Sequence, residues 1–242
     1  MHQILYCFIL LYFVLGAIAF GLIGRRKDQA GRRSLWMKYF TFLLLVHLLY
    51  GSIVFFASHF IMVAALIGSM GLFELTRIWW LHGKKGNPWV FPAGLLVYLS
   101  FFACFILFSM MEQGSLLFVF VVVMVFDAFS QISGQLMGGR KLIPSVSPRK
   151  TLSGSVGGAI LALVTALLIR PLIGASPSAT LLIGGIILIF ALLGALMASF
   201  YKRRFAVKDF GSTLPGHGGF LDRFDAFIAA GAAMYLLNQV IP

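Results

Sequence analysis

The sequence predicts an all-α, polytopic integral membrane protein with about eight transmembrane helices, and three observations carry that prediction. Hydrophobic residues make up 60% of the 242 residues and charged residues only 11%, against roughly 45–50% and 25% in soluble domains. Mean hydropathy is +0.98, more apolar surface than one water-facing domain can hide. Lys and Arg, 19 against seven acids for a formal net charge of +12, fall on alternate connections between apolar runs, as they do when cytoplasmic loops retain positive charge.

The apolar runs lie near 3–23, 37–58, 60–81, 93–111, 115–137, 152–174, 178–200 and 220–241. Positive charge follows the first run, whereas a secretory signal carries it in front, so an uncleaved helix is expected there. Little more than Ser58-His59 separates the second and third runs. Their combined length exceeds one crossing at about 1.5 Å per residue, which predicts two crossings, with a re-entrant pair as the alternative. Basic residues then occupy the connections 24–36 (Arg25, Arg26, Lys27, Arg32, Arg33), 82–92 (Lys84, Lys85), 138–151 (Arg140, Lys141, Arg149, Lys150) and 201–219 (Lys202, Arg203, Arg204, Lys208), with only Arg170 on the other side. This pattern puts both termini outside and the basic connections in the cytoplasm. Because topology explains the basic residues, no nucleic-acid partner is expected. Cys7 and Cys104 sit in apolar runs and carry no disulfide or metal spacing.

The seven acids are Asp28, Glu74, Glu112, Asp127, Asp209, Asp222 and Asp225. Asp28 and Glu112 read as solvated loop and turn residues. Glu74, three residues before Arg77, reads equally as half of a local ion pair or as a functional group. Asp127 lies deep in the fifth span, within the apolar run from Leu116 to Phe126 and on toward Phe129, where an acid costs about 2.5–3.5 kcal/mol on insertion scales. Such residues are functional by default, although a packing carboxyl supported by Ser130 and Ser133 is the alternative.

Asp222 and Asp225, three apart, share a face at the start of the last helix. Acids there also favour the helix dipole by about 0.3–1 kcal/mol. Their company points further: Lys208-Asp209 upstream, then Pro215-Gly216-His217-Gly218-Gly219 leading into the helix. Glycines let backbone N–H groups approach an anion, and a helix N-terminus favours phosphate. Carboxylates beside phosphate need a cation between them, and magnesium takes one or two carboxylates plus phosphate oxygens. A second helix start on the same side, 144–151, adds Arg149, Lys150 and the capping residues Ser147 or Thr151. A basic loop answering anionic headgroups is its alternative reading. His217 serves as a phosphate ligand, a general acid or a bracket for its turn. Gly154 and Gly158, like Gly68 and Gly71, are expected at close helix contacts.

The stretch 199–225 resembles the signature of the phosphatidate cytidylyltransferase (CDP-diacylglycerol synthase) family. Ser199, Lys202, Arg203, Lys208, Asp209, Gly211, Leu214, Pro215, His217, Gly218, Gly219, Asp222, Arg223 and Asp225 match it, with Tyr201 replacing an aliphatic residue. The run Asp127, Gly134, Gly138, Leu142, Pro144, 147–151 and Gly154 resembles a second block of that family. Ser153 stands where it usually has Glu, and Ser130-Gln131 near where it usually has Ala-Tyr.

The resemblance implies a single membrane domain over 1–242, its catalytic half at 112–242 and its first 111 residues without a matched motif. The implied enzyme sits in the inner membrane with a cytoplasmic active site. It depends on magnesium and joins CTP to phosphatidic acid, giving CDP-diacylglycerol and pyrophosphate. Asp127, Asp209, Asp222 and Asp225 become metal-site acids, with Asp209, Asp222, Asp225 and Lys208 catalytic. Lys150, Thr151, Lys202, Arg203, His217, Gly218, Gly219 and Arg223 become substrate contacts. Membrane lipid is the surrounding partner, and a homodimer is compatible with the family. Two other readings stay open at this point: a CTP-dependent transferase for a different lipid phosphate or a polyprenol, motivated by Ser153, and a transporter that uses Asp127 for coupling.

Overall fold

A computed structural model describes residues 2–25, 28–83, 88–214 and 218–240. His217, together with Arg26, Lys27, Lys84 and Lys85, lies outside the described residues. Eight α-helices are present among them: α1 (His2–Gly24), α2 (Gln29–Phe55), α3 (Phe60–His82), α4 (Val90–Phe108), α5 (Gln113–Met137), α6 (Leu152–Leu168), α7 (Pro177–Arg204) and α8 (Leu221–Val240). A short antiparallel hairpin, β1 (Lys141–Ile143) with β2 (Ser147–Thr151), connects α5 to α6 and pairs Lys141 with Thr151 and Ile143 with Ser147.

Six helices, α1 to α5 and α7, are long and apolar enough to cross a membrane, which makes the chain an all-α polytopic membrane protein. The other two fall outside that set for different reasons. α6 has 17 residues and spans roughly 25 Å, slightly less than the ~30 Å hydrocarbon layer. α8 has 20 residues but carries Asp222, Arg223 and Asp225 near its start.

Helix boundaries follow local chemistry. α2 begins earlier than the apolar run predicts because Asp28, expected in a solvated loop, is its N-cap: Gly31 N–H donates to Asp28 Oδ1 at 3.1 Å, leaving fewer unpaired first-turn donors. A 3-10 turn, Ala57–His59, separates α2 from α3, so the join at Ser58-His59 is a break between two long helices. α6 stops at Leu168 and a 3-10 turn, Arg170–Leu172, follows, since Pro171 cannot continue the hydrogen-bond ladder. Ser176 caps α7, with Pro177 at its first position.

α5 organises the packing. Every residue from Leu116 to Phe126 is buried, the mark of a helix surrounded by other helices, and α1, α2, α6, α7 and α8 all pack on it. Its tightest seam is with α6. A Cβ at Gly158 would come within 2.8 Å of the Phe126 carbonyl, and one at Gly154 within 2.6 Å of the Ser130 carbonyl. Backbones this close form where small residues line both helices. On the other side of the bundle, Gly71 of α3 accommodates Leu221 of α8, and Tyr98 O–H donates to the Gly68 carbonyl at 2.7 Å.

Candidate active site

α5 passes from buried apolar residues to Asp127 beside a cavity of about 1000 Å³. Three of the basic connections meet there: the start of α2 (Ser34, Lys38), the hairpin (Lys141, Ser147 to Thr151), and the end of α7 with the following loop (Lys202, Lys208, Asp209). Gly218 and the first turn of α8 complete the charged wall. Seven basic and four acidic side chains line the cavity among the described residues, a surplus that attracts an anion. α1 and α2 add an apolar share of the lining through Phe13, Phe20, Tyr39, Leu45 and Leu49.

All four predicted metal-site acids, Asp127, Asp209, Asp222 and Asp225, line this cavity. Lys150 and Arg223 act electrostatically on Asp127, while Lys202, Lys150, Asp127 and Asp222 act on Asp225. Among the described residues no group of three or more ligand-type side chains stands close enough to enclose an ion by itself. The carboxylates converge on a space without closing a cage around a point within it.

Asp222 has the fullest set of partners. Its Oδ1 pairs with the Lys202 ammonium, and its Oδ2 accepts from the Phe210 and Gly219 N–H groups, both at 2.8 Å. The side chains of this pair are 9% and 3% exposed. Three of roughly four acceptor positions on the carboxylate are therefore used. Lys202 also lies 5.1 Å from the centre of the Phe210 ring, a cation–π contact. Asp225 Oδ1 accepts from the Ala226 N–H at 2.7 Å. Asp209 and Lys208 are exposed.

The expected helix-terminus anion site takes an internal form. The described N–H groups of Gly219, Phe220 and Leu221, at the start of α8, donate to Asp222 and Glu74. Gly218 has a φ of +88°, and a Cβ there would lie 2.9 Å from Asp209 Cβ and 3.1 Å from Asp222 Oδ2. The glycine therefore lets the turn pass between two aspartates.

Lys150, Thr151, Lys202, Lys208, Gly218 and Arg223 line the cavity, whereas Arg203 and Gly219 do not. Lys202 and Arg203 are consecutive on α7, about 100° apart around the axis, so one faces the cavity and the other turns from it. Arg203 donates to the Val146 and Val207 carbonyls at 3.3 and 2.9 Å, bracing the hairpin against α7. Gly219 is buried behind the wall, against Phe210 and Glu74. Thr151 lines the cavity while its Oγ1 caps α6 through Gly154 N–H at 3.1 Å.

Three further residues bear on the sequence readings. Among the described residues Glu74 makes no ion pair with Arg77. Ser130 Oγ is buried without a hydrogen-bond partner among the described residues, so it does not support the Asp127 carboxyl. Ser153 donates to the Gly138 carbonyl, joining the start of α6 to the end of α5 outside the cavity wall. Sequence reasoning missed the contribution of α1 and α2 to the cavity. Its one available signal was Ser34 and Lys38, four apart near the start of α2.

A phosphatidate cytidylyltransferase of Brucella abortus (strain 2308) is 37% identical over 166 residues, covering 65% of this chain and 59% of that protein. Those of Staphylococcus saprophyticus and Staphylococcus aureus (strain COL) are 46% and 40% identical over 115 residues, each covering 47% of this chain and 44% of the relative. The matched segments thus span about half of those relatives' length. The model of the cytidylyltransferase family matches residues 1–241, nearly the whole sequence including the helices without a recognisable motif, and the chain belongs to that family.

Proposed function

We propose that this protein transfers the cytidylyl group of CTP to phosphatidic acid, giving CDP-diacylglycerol and pyrophosphate, at the cytoplasmic face of an inner membrane. One observation carries the reading: a single cavity is lined by lysines, arginine and aspartates and also by apolar residues from α1 and α2. A water-soluble polyphosphate and a lipid can meet in it. The names of the relatives, phosphatidate cytidylyltransferase, agree with that pair of substrates.

In the proposed reaction a phosphate oxygen of the lipid attacks the α-phosphorus of CTP. The bond from that phosphorus to the bridging oxygen breaks, and pyrophosphate leaves with the electron pair. No covalent enzyme intermediate is needed. Lys150, Lys208 and Arg223 hold the phosphates and offset charge as it moves to the leaving group, the largest source of acceleration in such transfers. Lys202 is held by Asp222, which fixes its ammonium at the charged wall.

The donor set fits magnesium. Asp127, Asp209 and Asp225 offer carboxylate oxygens to a hard cation that binds through one or two carboxylates and completes its shell with phosphate and water, so a protein cage is not required. These three, with the remaining acceptor position of Asp222, would hold it. When bound, the ion supplies Lewis-acid polarisation of the phosphates and neutralises their charge.

The test is an assay of the purified protein in detergent with CTP, phosphatidic acid and magnesium. Pyrophosphate release with phosphatidic acid, and much less with polyprenyl phosphate or other lipid phosphates, supports the reading. Failure to release it with any lipid phosphate overturns it.

A further inference from the structure

We infer that Glu74, in the half of the chain without a recognisable motif, is a positioning residue for the site at the start of α8; the inference rests on the reading that this site transfers the cytidylyl group. Glu74 lies within α3 and is 0% exposed. A buried carboxylate in a membrane helix needs specific partners, and among the described residues those of Glu74 come from the segment around the signature loop. Oε1 accepts from the Phe220 N–H at 2.8 Å and from Thr213 Oγ1 at 3.0 Å, and Oε2 accepts from the Leu221 N–H at 2.8 Å. The carboxylate thus caps α8 from another helix, where the dipole favours a negative charge.

The glycines of the loop fit around this carboxylate. A Cβ on Gly219 would come within 2.7 Å of Glu74 Oε2, and one on Gly211 within 3.2 Å of Oε1. Gly219 N–H, one residue before the two amides that Glu74 holds, donates to Asp222. Two carboxylates therefore share three consecutive amides, and Glu74 sets the backbone position from which Asp222 reaches Lys202. The next residue on α3 fixes the partner helix: Tyr201 O–H donates to the Leu75 carbonyl at 2.9 Å, placing the neighbouring Lys202. Adjacent residues of α3 hold both sides of the Lys202–Asp222 pair in register.

The test compares wild type with Glu74→Gln and Thr213→Val by steady-state kinetics and by amide hydrogen exchange in detergent. Glu74→Gln keeps the side-chain shape but turns an NH2 donor toward backbone donors. It is expected to lower kcat by about 10- to 100-fold through displacement of the reacting groups, with KM for phosphatidic acid unchanged. Exchange should accelerate at residues 219–222 while 226–234 stay protected, a local change that general loss of packing does not give. Thr213→Val, which removes one of the three donors, should show a smaller shift in the same direction and serves if Glu74→Gln does not fold. Wild-type kcat in Glu74→Gln, or unchanged exchange at Phe220 and Leu221, overturns the inference. Exchange needs no substrate, so a wild type that releases no pyrophosphate removes the transferase reading while the clamp is still decided.

Discussion

The Asp222 carboxylate joins three segments: Lys202 on α7, Phe210 in the loop and Gly219 before α8. Replacing it with Asn keeps the size but removes the charge opposite a buried ammonium and turns a donor toward donors. Breaking one side of a buried ion pair costs about 3–5 kcal/mol, and Lys202 without its partner no longer keeps its place at the charged wall. Asp222→Asn is therefore expected to reduce pyrophosphate release by more than about 100-fold and to lower Tm in detergent; an Asn variant with wild-type turnover would contradict this role. Gly218 makes a different demand on the same turn. At a φ of +88° with Asp209 Cβ 2.9 Å from any added methyl, Gly218→Ala should cost about 1–3 kcal/mol. It should also raise KM for CTP, because the turn can relax only by moving one of the two aspartates.

Among the elements, the α5–α6 seam depends most on residue size. Gly158→Ala inserts a methyl 2.8 Å from both the Phe126 carbonyl and the Ser130 nitrogen, and overpacking of this kind costs about 1–3 kcal/mol. The expected result is a lower thermal midpoint, with activity falling as well because Asp127 lies on the displaced stretch of α5. The helices were legible in the sequence because long apolar runs report a lipid surrounding directly. Their ends were less so. Asp28 reads as a loop acid until it is seen capping α2, and Lys202 and Arg203 read as loop cations although α7 continues through them to Arg204. The hairpin after α5 gave no signal, since its strands have three and five residues and contain no alternating apolar pattern. In the site, residues of the signature were legible because spacing places them together along one segment. Glu74 was not, because its partners Phe220 and Leu221 lie some 146 residues away and no local pattern reports a cap supplied by another helix.

At the scale of the whole molecule, three basic connections and the first turn of α8 surround one cavity while α1 and α2 add an apolar share of its lining. If the basic connections face the cytoplasm, single cysteines should label from opposite sides in intact inverted and right-side-out vesicles. In a chain with Cys7 and Cys104 replaced by alanine, Ser212→Cys should react from the cytoplasmic side and Ser178→Cys, at the start of α7, from the other. Reaction of both from one side would refute the topology. A nucleotide drawn to this cavity through the excess of basic over acidic groups should also bind more weakly as salt rises, which titration at several ionic strengths measures.

The arrangement is tested most directly by a structure with CTP and a divalent ion bound. The expected result is a triphosphate among Lys150, Lys208 and Arg223, with the ion about 2.1 Å from phosphate oxygens and from at least one of Asp127, Asp209 and Asp225. A nucleotide seated outside the cavity, or an ion that touches none of these aspartates, would contradict the proposed chemistry.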